Sequence, residues 1–288
     1  MSTSVAVPRE SPFALGLRRI MRKPSSRVAL FVLGVIVLVG LLAPLIAPYD
    51  PAAMPDIVGL KSLPPSLAHP FGTDPFSRDV LSRVIYGARL SLTIGVLATL
   101  VSLTVGVAYG AVAGYVGGLT DGVMMRVLDA FLSIPRLLLL LGVLAAWPHL
   151  PVVALVLFLG LTGWFGLSRI VRGQVLALKH AEFVTAARAL GASRRRILVR
   201  HLLPNIVSPI VVAATLGVAH VIVLEAGLSY LGIGVPQPLA SWGNIIYDGA
   251  DQVVTLWWMA LFPGLFMVLT VMTLNILGDA LRDAYELR

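Results

Sequence analysis

Apolar residues in this chain gather into long blocks. Val28 to Ala47, Ser91 to Ala113, Pro151 to Ser168, Ile206 to Leu224 and Leu256 to Gly278 are mostly apolar and hold no lysine or arginine. About 20 such residues cross the ~30 Å of hydrocarbon in a bilayer, so each block predicts a transmembrane helix. A sixth block, Phe131 to Trp147, is weaker, because it contains Pro135 and Arg136 and its apolar part shrinks to LLLLLGVLAAW. Only the tripeptide PHL separates it from the next block, so by length alone the two are either separate spans or halves of one.

The basic residues choose between these readings, because lysine and arginine stay on the cytoplasmic side of short connections. Residues 1–27 hold six (Arg9, Arg18, Arg19, Arg22, Lys23 and Arg27), and the connection from Arg169 to His201 holds eight. Three crossings between these segments would put the second outside, whereas four keep both inside. The connection from Glu225 to Thr255 then falls outside, with three acids and no lysine or arginine. The predicted fold class is all-α: a polytopic membrane protein of six transmembrane helices with both termini cytoplasmic. Residues 1–27 form a cytoplasmic segment, 28–87 the first helix and an external loop, and 88–288 a five-helix core carrying a cytoplasmic segment at 180–204. The first block is read as a span and not a secretory signal, because it is long for one and APLIAPYDP offers no clean small-x-small cleavage site. Pro48 to Arg89, proline-rich with four basic and four acidic residues, predicts an irregular external segment.

Composition agrees with a membrane protein: of 288 residues, 58% are apolar and 12% charged. The net charge of +8 sits where membrane topology wants it, which argues against nucleic-acid binding. There is no cysteine, hence no disulfide or thiolate chemistry. None of the three lysines completes a phosphate-binding loop, no H-E-x-x-H pair occurs, and the five histidines lack ligand spacing, so no catalytic residue, metal or cofactor is expected. An intramembrane enzyme would need a nucleophile and base, or metal ligands, inside the apolar blocks, and they hold none. A self-contained secondary transporter would be expected to show inverted repeats and buried acids near mid-bilayer, and neither is evident.

The basic connection has a pattern of its own. Phe183 to Leu190 predicts a helix with adjacent alanines, stopped at Gly191, whose freedom at positive φ suits a helix end. Ser193 then predicts the N-cap of a second helix, RRRILVRHLL, ended by Pro204. A helix, a sharp corner and a second helix, with small side chains and flanking arginines, suit docking against an acidic groove, while charge alone fits contact with lipid headgroups equally well.

Spacing adds a resemblance. Thr185-Ala186-Ala187, then Gly191, His201, Leu203 and Pro204 keep every interval of the signature Glu-Ala-Ala, three residues, Gly, nine residues, Ile, one residue, Leu-Pro. That signature resembles the cytoplasmic docking segment of binding-protein-dependent ABC importer permeases, with Thr185 in place of its glutamate and His201 in place of its isoleucine. HPFGTDPFSRDVLSRVIYGARLSL, FLSIP, EAGLSYLGIGVPQPLASWGNII and NILGDALRDAYELR look like the peptide/nickel subfamily of these permeases, in particular the C-type chain of dipeptide and oligopeptide importers. The resemblance implies a type I ABC importer permease fold and no chemistry of the chain's own. It also implies partners: a second permease subunit, two cytoplasmic ATP-binding subunits, an extracytoplasmic substrate-binding protein and membrane lipid, in a bacterial or archaeal plasma membrane. The cargo implied is a peptide, with nickel chelates or another small solute the alternative.

On the same basis the helix from about His180 to Leu190 is the coupling helix that sits in an ATPase groove. Ala186, Ala187 and Gly191 would make the close contact, Arg188 and Arg194 would be more peripheral, and Thr185, Leu203 and Pro204 complete the segment. Glu225, Trp242, Asn244 and Asp248 are candidates for the pathway or the external face; Glu225 lies at the outer end of the fifth span, where facing water costs little, so an interfacial role and a pathway role both stay open. Arg136 is expected to snorkel to the cytoplasmic interface. Gly106, Gly110 and Gly114, spaced by four, predict a smooth ridge for close helix packing.

Overall fold

The structure is a computed structural model that describes residues 21, 23–147 and 150–286. The readings on Arg9, Arg18, Arg19, Arg22 and His149 lie outside the described residues. Eleven α-helices are used below: α1 (Pro24–Leu41), α2 (Ala43–Ile46), α3 (Val80–Val116), α4 (Gly118–Leu132), α5 (Arg136–Ala146), α6 (Val152–Leu178), α7 (Glu182–Ala189), α8 (Arg194–Ile197), α9 (Val207–Tyr230), α10 (Trp242–Asp248) and α11 (Trp257–Glu286). A π turn over Leu198–Leu202 and a 3-10 turn over Leu203–Ile206 join α8 to α9, so Arg194–Tyr230 runs as one long apolar helix.

Among the described residues, five helices are long and apolar enough to cross a membrane, and the bent pair α4–α5 makes a sixth if it crosses as one span. The weak sixth block therefore lies in a bent helix pair and not in a straight span. Pro135 has no N–H to continue the ladder, and the chain turns by 70° between α4 and α5. With 11 residues, α5 is only about 16 Å long, so it covers half of a bilayer.

Several helices outrun their apolar blocks. The second begins at Val80 and not near Ser91, because Asp79 caps it by accepting from Ser82 N at 2.8 Å. Its first turns therefore hold Arg83 and Arg89, and the irregular external segment is correspondingly shorter, from Tyr49 to Asp79. The third block likewise extends to Leu178 and the last to Glu286. Apolar composition locates the hydrocarbon, whereas caps and tertiary packing locate the helix ends.

Helix α3 lies along α6 in the most extensive contact of the bundle, and α9 packs between α3 and α11. The glycine ridge makes the first contact close. A methyl group on Gly106 would meet Trp164 O at 3.1 Å, one on Gly114 would meet Arg172 O at 2.9 Å, and one on Gly110 would collide with Ser168 O. The two backbones touch where other residues would hold them apart, the geometry expected when dispersion must replace the hydrophobic effect between helices. Outward faces carry Phe31, Leu38, Val153, Leu161 and Met272, all exposed and suited to lipid.

Candidate functional site

At one end of the bundle, α6 gives way to the segment that the sequence singles out. Helix α7 closes with paired backbone bonds, Ala192 N to Ala187 O and Gly191 N to Arg188 O, both 3.0 Å. This reciprocal pair needs a left-handed residue after the helix, and Gly191 supplies it at φ +80°. Ser193 then caps α8, its hydroxyl accepting from Arg196 N at 3.3 Å. The result is a knuckle: a short helix, a tight corner and a second helix leading into α9.

Pro204 does not end this second helix as expected. The π turn shifts the hydrogen-bond register just ahead of the proline, with Leu203 N bonded to Leu198 O, and the Asn205 amide donates to His201 O at 2.6 Å. Pro204 is thereby absorbed, and the knuckle runs without a break into a membrane-spanning helix.

Exposure divides the segment. Val184, Ala187, Ile197 and Leu202 are buried and pack with Ala111, Val171 and Val175 of α3 and α6. Ala187, expected at the docking contact, is thus turned into the chain's own core. Thr185, Ala186, Arg188, Gly191, Arg194 and Pro204 are exposed, and Leu203 is half-buried. Sequence reasoning missed two apolar members of this face. Leu190, at the crest of the corner, is 89% exposed, and Phe183 is also exposed. The signal was available in the amphipathic order of α7, which turns Val184 and Ala187 inward and leaves Phe183 and Ala186 outward. Beside the knuckle, Arg188, Ala192, Arg194 and Ile197 join Tyr115 and Val116 around a recess of about 390 Å³.

Neighbouring charges brace this end. Arg172 forms a two-pronged pair with Asp121, Nε to Oδ1 at 2.5 Å and Nη2 to Oδ2 at 2.6 Å, which ties α4 to α6. Arg169 pairs with Asp129, and Lys179 Nζ reaches Gly114 O at 3.3 Å. Lys23 meets Asp283 at 2.6 Å, joining the first and last helices at their exposed ends.

The opposite end holds the other candidates, and all four are buried or nearly so. Glu225 is fully buried; Ser229 Oγ donates to it at 2.7 Å and Ser91 Oγ lies 3.3 Å away. Trp242 is also fully buried, its Nε1 donating to Val84 O at 3.2 Å, and Gly87 leaves room for the indole. Asn244 closes a capping box with Ser241 that starts α10. Asp248 Oδ2 accepts from Arg78 Nη2 at 2.8 Å and pairs with Arg83 Nη1 at 2.9 Å, while Asp74 holds Arg78 Nε at 2.5 Å and also pairs with Arg83. Gln237 Oε1 accepts from Arg78 Nη1 at 2.7 Å. Two arginines and two carboxylates thus balance in a buried cluster that clamps the irregular segment before α3 and the start of α3 onto α10. These residues hold the cap of the bundle together from within.

Arg136 does not snorkel to an interface. It sits beside Thr99 and Ser102, halfway along α3, with Nη2 donating to Leu159 O at 2.7 Å and Nε to Thr162 Oγ1 at 3.2 Å. The bend at Pro135 is what delivers it there.

The geometry defines a class: a multi-pass helical bundle of the membrane with a knuckle projecting at one end and a clamped cap at the other. Comparison with known proteins makes the class specific. The chain belongs to the family of the binding-protein-dependent transport system inner membrane component, which matches residues 106–288, and residues 11–65 match the N-terminal TM domain of oligopeptide transport permease C. It is 41% identical to the dipeptide transport system permease protein DppC of Bacillus subtilis, over 93% of this chain and 83% of that protein. It is 40% identical to the oligopeptide transport system permease protein OppC of the same organism, over 90% of this chain and 84% of that one. The fold is that of a type I ABC importer permease. It superposes on a chain of the inward-facing MetNI methionine ABC transporter with a TM-score of 0.57 at 18% identity, covering 70% of this chain and 96% of that chain.

Proposed function

We propose that this chain is one membrane subunit of an ATP-driven importer and forms half of the pathway for peptides delivered by a separate binding protein. Its relatives' names and the C-type N-terminal match support a peptide cargo over a nickel chelate. A second permease subunit completes the pathway, and the chain itself catalyses nothing; the energy comes from two ATP-binding subunits on the cytoplasmic side, where both termini also lie.

The observation that carries this reading is the knuckle. Exposed apolar Leu190 and Phe183, interleaved along the chain with exposed Thr185, Arg188 and Arg194, supply the apolar anchor and the polar surround of a protein docking site. Because Ala187 and Val184 seat it in the chain's own core, and because no flexible linker separates it from α9, motion imposed on the knuckle reaches the spans directly. Gly191 shapes the corner, and Leu203 and Pro204 pass the motion into α9. The test is reconstitution with the second permease, the ATPase subunits and the binding protein. ATP-dependent accumulation of labelled alanyl-alanine supports the reading, and accumulation by this chain alone, without ATP, contradicts it.

A further inference from the structure

Halfway through the bundle, α3, α5, α6 and α9 line a small, largely apolar pocket of about 80 Å³, into which Thr99, Ser102, Arg136 and His220 bring polar groups beside Gly163. Resting on the peptide reading above, we propose that it is a subsite for a carboxylate of the passing cargo, the terminal carboxylate of a peptide.

Three observations converge on an anion. Arg136 is a cation at membrane depth, and among the described residues no carboxylate pairs with it. Of its five N–H groups two are engaged, one on Nε and one on Nη2, and neither on Nη1 has a partner among the described residues. Ionisable groups within spans are held by a partner or serve a pathway, and here the partner is missing. Next, Thr99 is 5% exposed and its hydroxyl has no hydrogen-bond partner, although it borders the same pocket. A buried hydroxyl without a partner is uncommon, because the lost hydrogen bond with water is not replaced. Finally, Gly163 lets α6 come close to both groups: a methyl group there would collide with Ser102 Oγ and stand 3.1 Å from Arg136 Nη2, so a side chain would displace the guanidinium. A guanidinium with N–H groups to spare and a free hydroxyl donor beside the same pocket suit a planar anion, and a pocket of about 80 Å³ has room for a carboxylate. A cargo group held here would be sensed where the bent helix pair and α9 meet, between the two ends of the bundle.

The absence of cysteine from this chain makes the test direct. Thr99→Cys is introduced into the assembled transporter, with partner-subunit cysteines replaced. Its modification by anionic methanethiosulfonate ethylsulfonate and by the cationic trimethylammonium reagent is then followed by mass spectrometry of this chain. The anionic reagent reacts about ten-fold faster or more, as a local positive charge dictates. Arg136→Gln removes the preference and Arg136→Lys retains it, which separates charge from misfolding. Alanyl-alanine slows modification, whereas alanyl-alanine amide does not. Equal rates with Arg136 in place overturn the proposal, as does protection by the amide equal to that by the acid. Reagent preference without protection by alanyl-alanine overturns the cargo assignment. Protection present in phosphatidylglycerol vesicles without any peptide, and lost in maltoside micelles, assigns the pocket to a lipid phosphate instead. Absence of alanyl-alanine uptake by the unmodified transporter is a failure of the peptide reading, distinguishable because the reagent preference is measured without transport.

Discussion

Replacing Asp248 with alanine tests whether the cluster at the cap holds α10 in place. The Asp248 side chain is 6% exposed and faces Arg78 at 2.8 Å and Arg83 at 2.9 Å, with Asp74 the only other carboxylate of the cluster. Its removal leaves two arginines on one acid, and the side chain of Arg83 is wholly buried with its Nε already unpartnered. Breaking a buried pair in this way costs about 3–5 kcal/mol, because an uncompensated charge remains. At about 2–4 °C per kcal/mol for a chain of this order, the thermal midpoint falls by about 6–20 °C. The assay is thermal unfolding of the purified transporter in detergent, followed by tryptophan fluorescence, since Trp242 on α10 reports the cap directly. A double variant, Arg83→Met with Asp248→Leu, restores charge balance around the remaining Asp74 and Arg78 and is expected to lose less stability than Asp248→Ala alone. A midpoint for Asp248→Ala within about 2 °C of the parent would refute the reasoning.

Three further outcomes follow from the same geometry. Gly191→Val places a β-branched residue at φ +80°, a strain of about 1–2 kcal/mol, and should lower ATP-driven uptake in reconstituted vesicles while leaving membrane insertion intact. Gly110→Val drives a side chain into Ser168 O and Val171 and should cost about 1–3 kcal/mol or more by forcing α3 and α6 apart, measured as a lower thermal midpoint and weaker extraction yield. Ser193→Ala removes the cap of α8 and should cost about 1 kcal/mol, visible as faster amide exchange over residues 194–198 with the spans unchanged.

Which parts of this structure were legible in the sequence depends on which force set them. The long spans were, because the bilayer imposes both length and composition on them. The corner at Gly191 and the cap at Ser193 were also legible, since each depends on the local chemistry of one residue. The glycine ridge announced close packing through spacing alone. Helix ends were less legible: α3 starts at Val80 because Asp79 caps it, and no hydropathy window sees a cap. The burial of Glu225 and Trp242 depends on α10 folding back against α3 and α9, a tertiary event that places serines 91 and 229 around a carboxylate from two helices. Arg136 was misplaced for a related reason. A proline break reads as the edge of a helix, and only the fold shows that this edge lies deep among its neighbours. The inward turn of Ala187 was hidden because small residues fit equally well against a partner or against the chain's own core.

The claim on which the functional reading turns is that the knuckle lies in the cytoplasm, seated in an ATP-binding subunit. The direct measurement is Leu190→Cys, at a crest position 89% exposed, in a chain that has no other cysteine. A membrane-impermeant maleimide is expected to label it in inside-out vesicles and not in intact cells, and the ATPase subunits, once added, should block that labelling and form a crosslink at this site. Labelling from outside intact cells, or labelling unaffected by the ATPase subunits, would contradict the account.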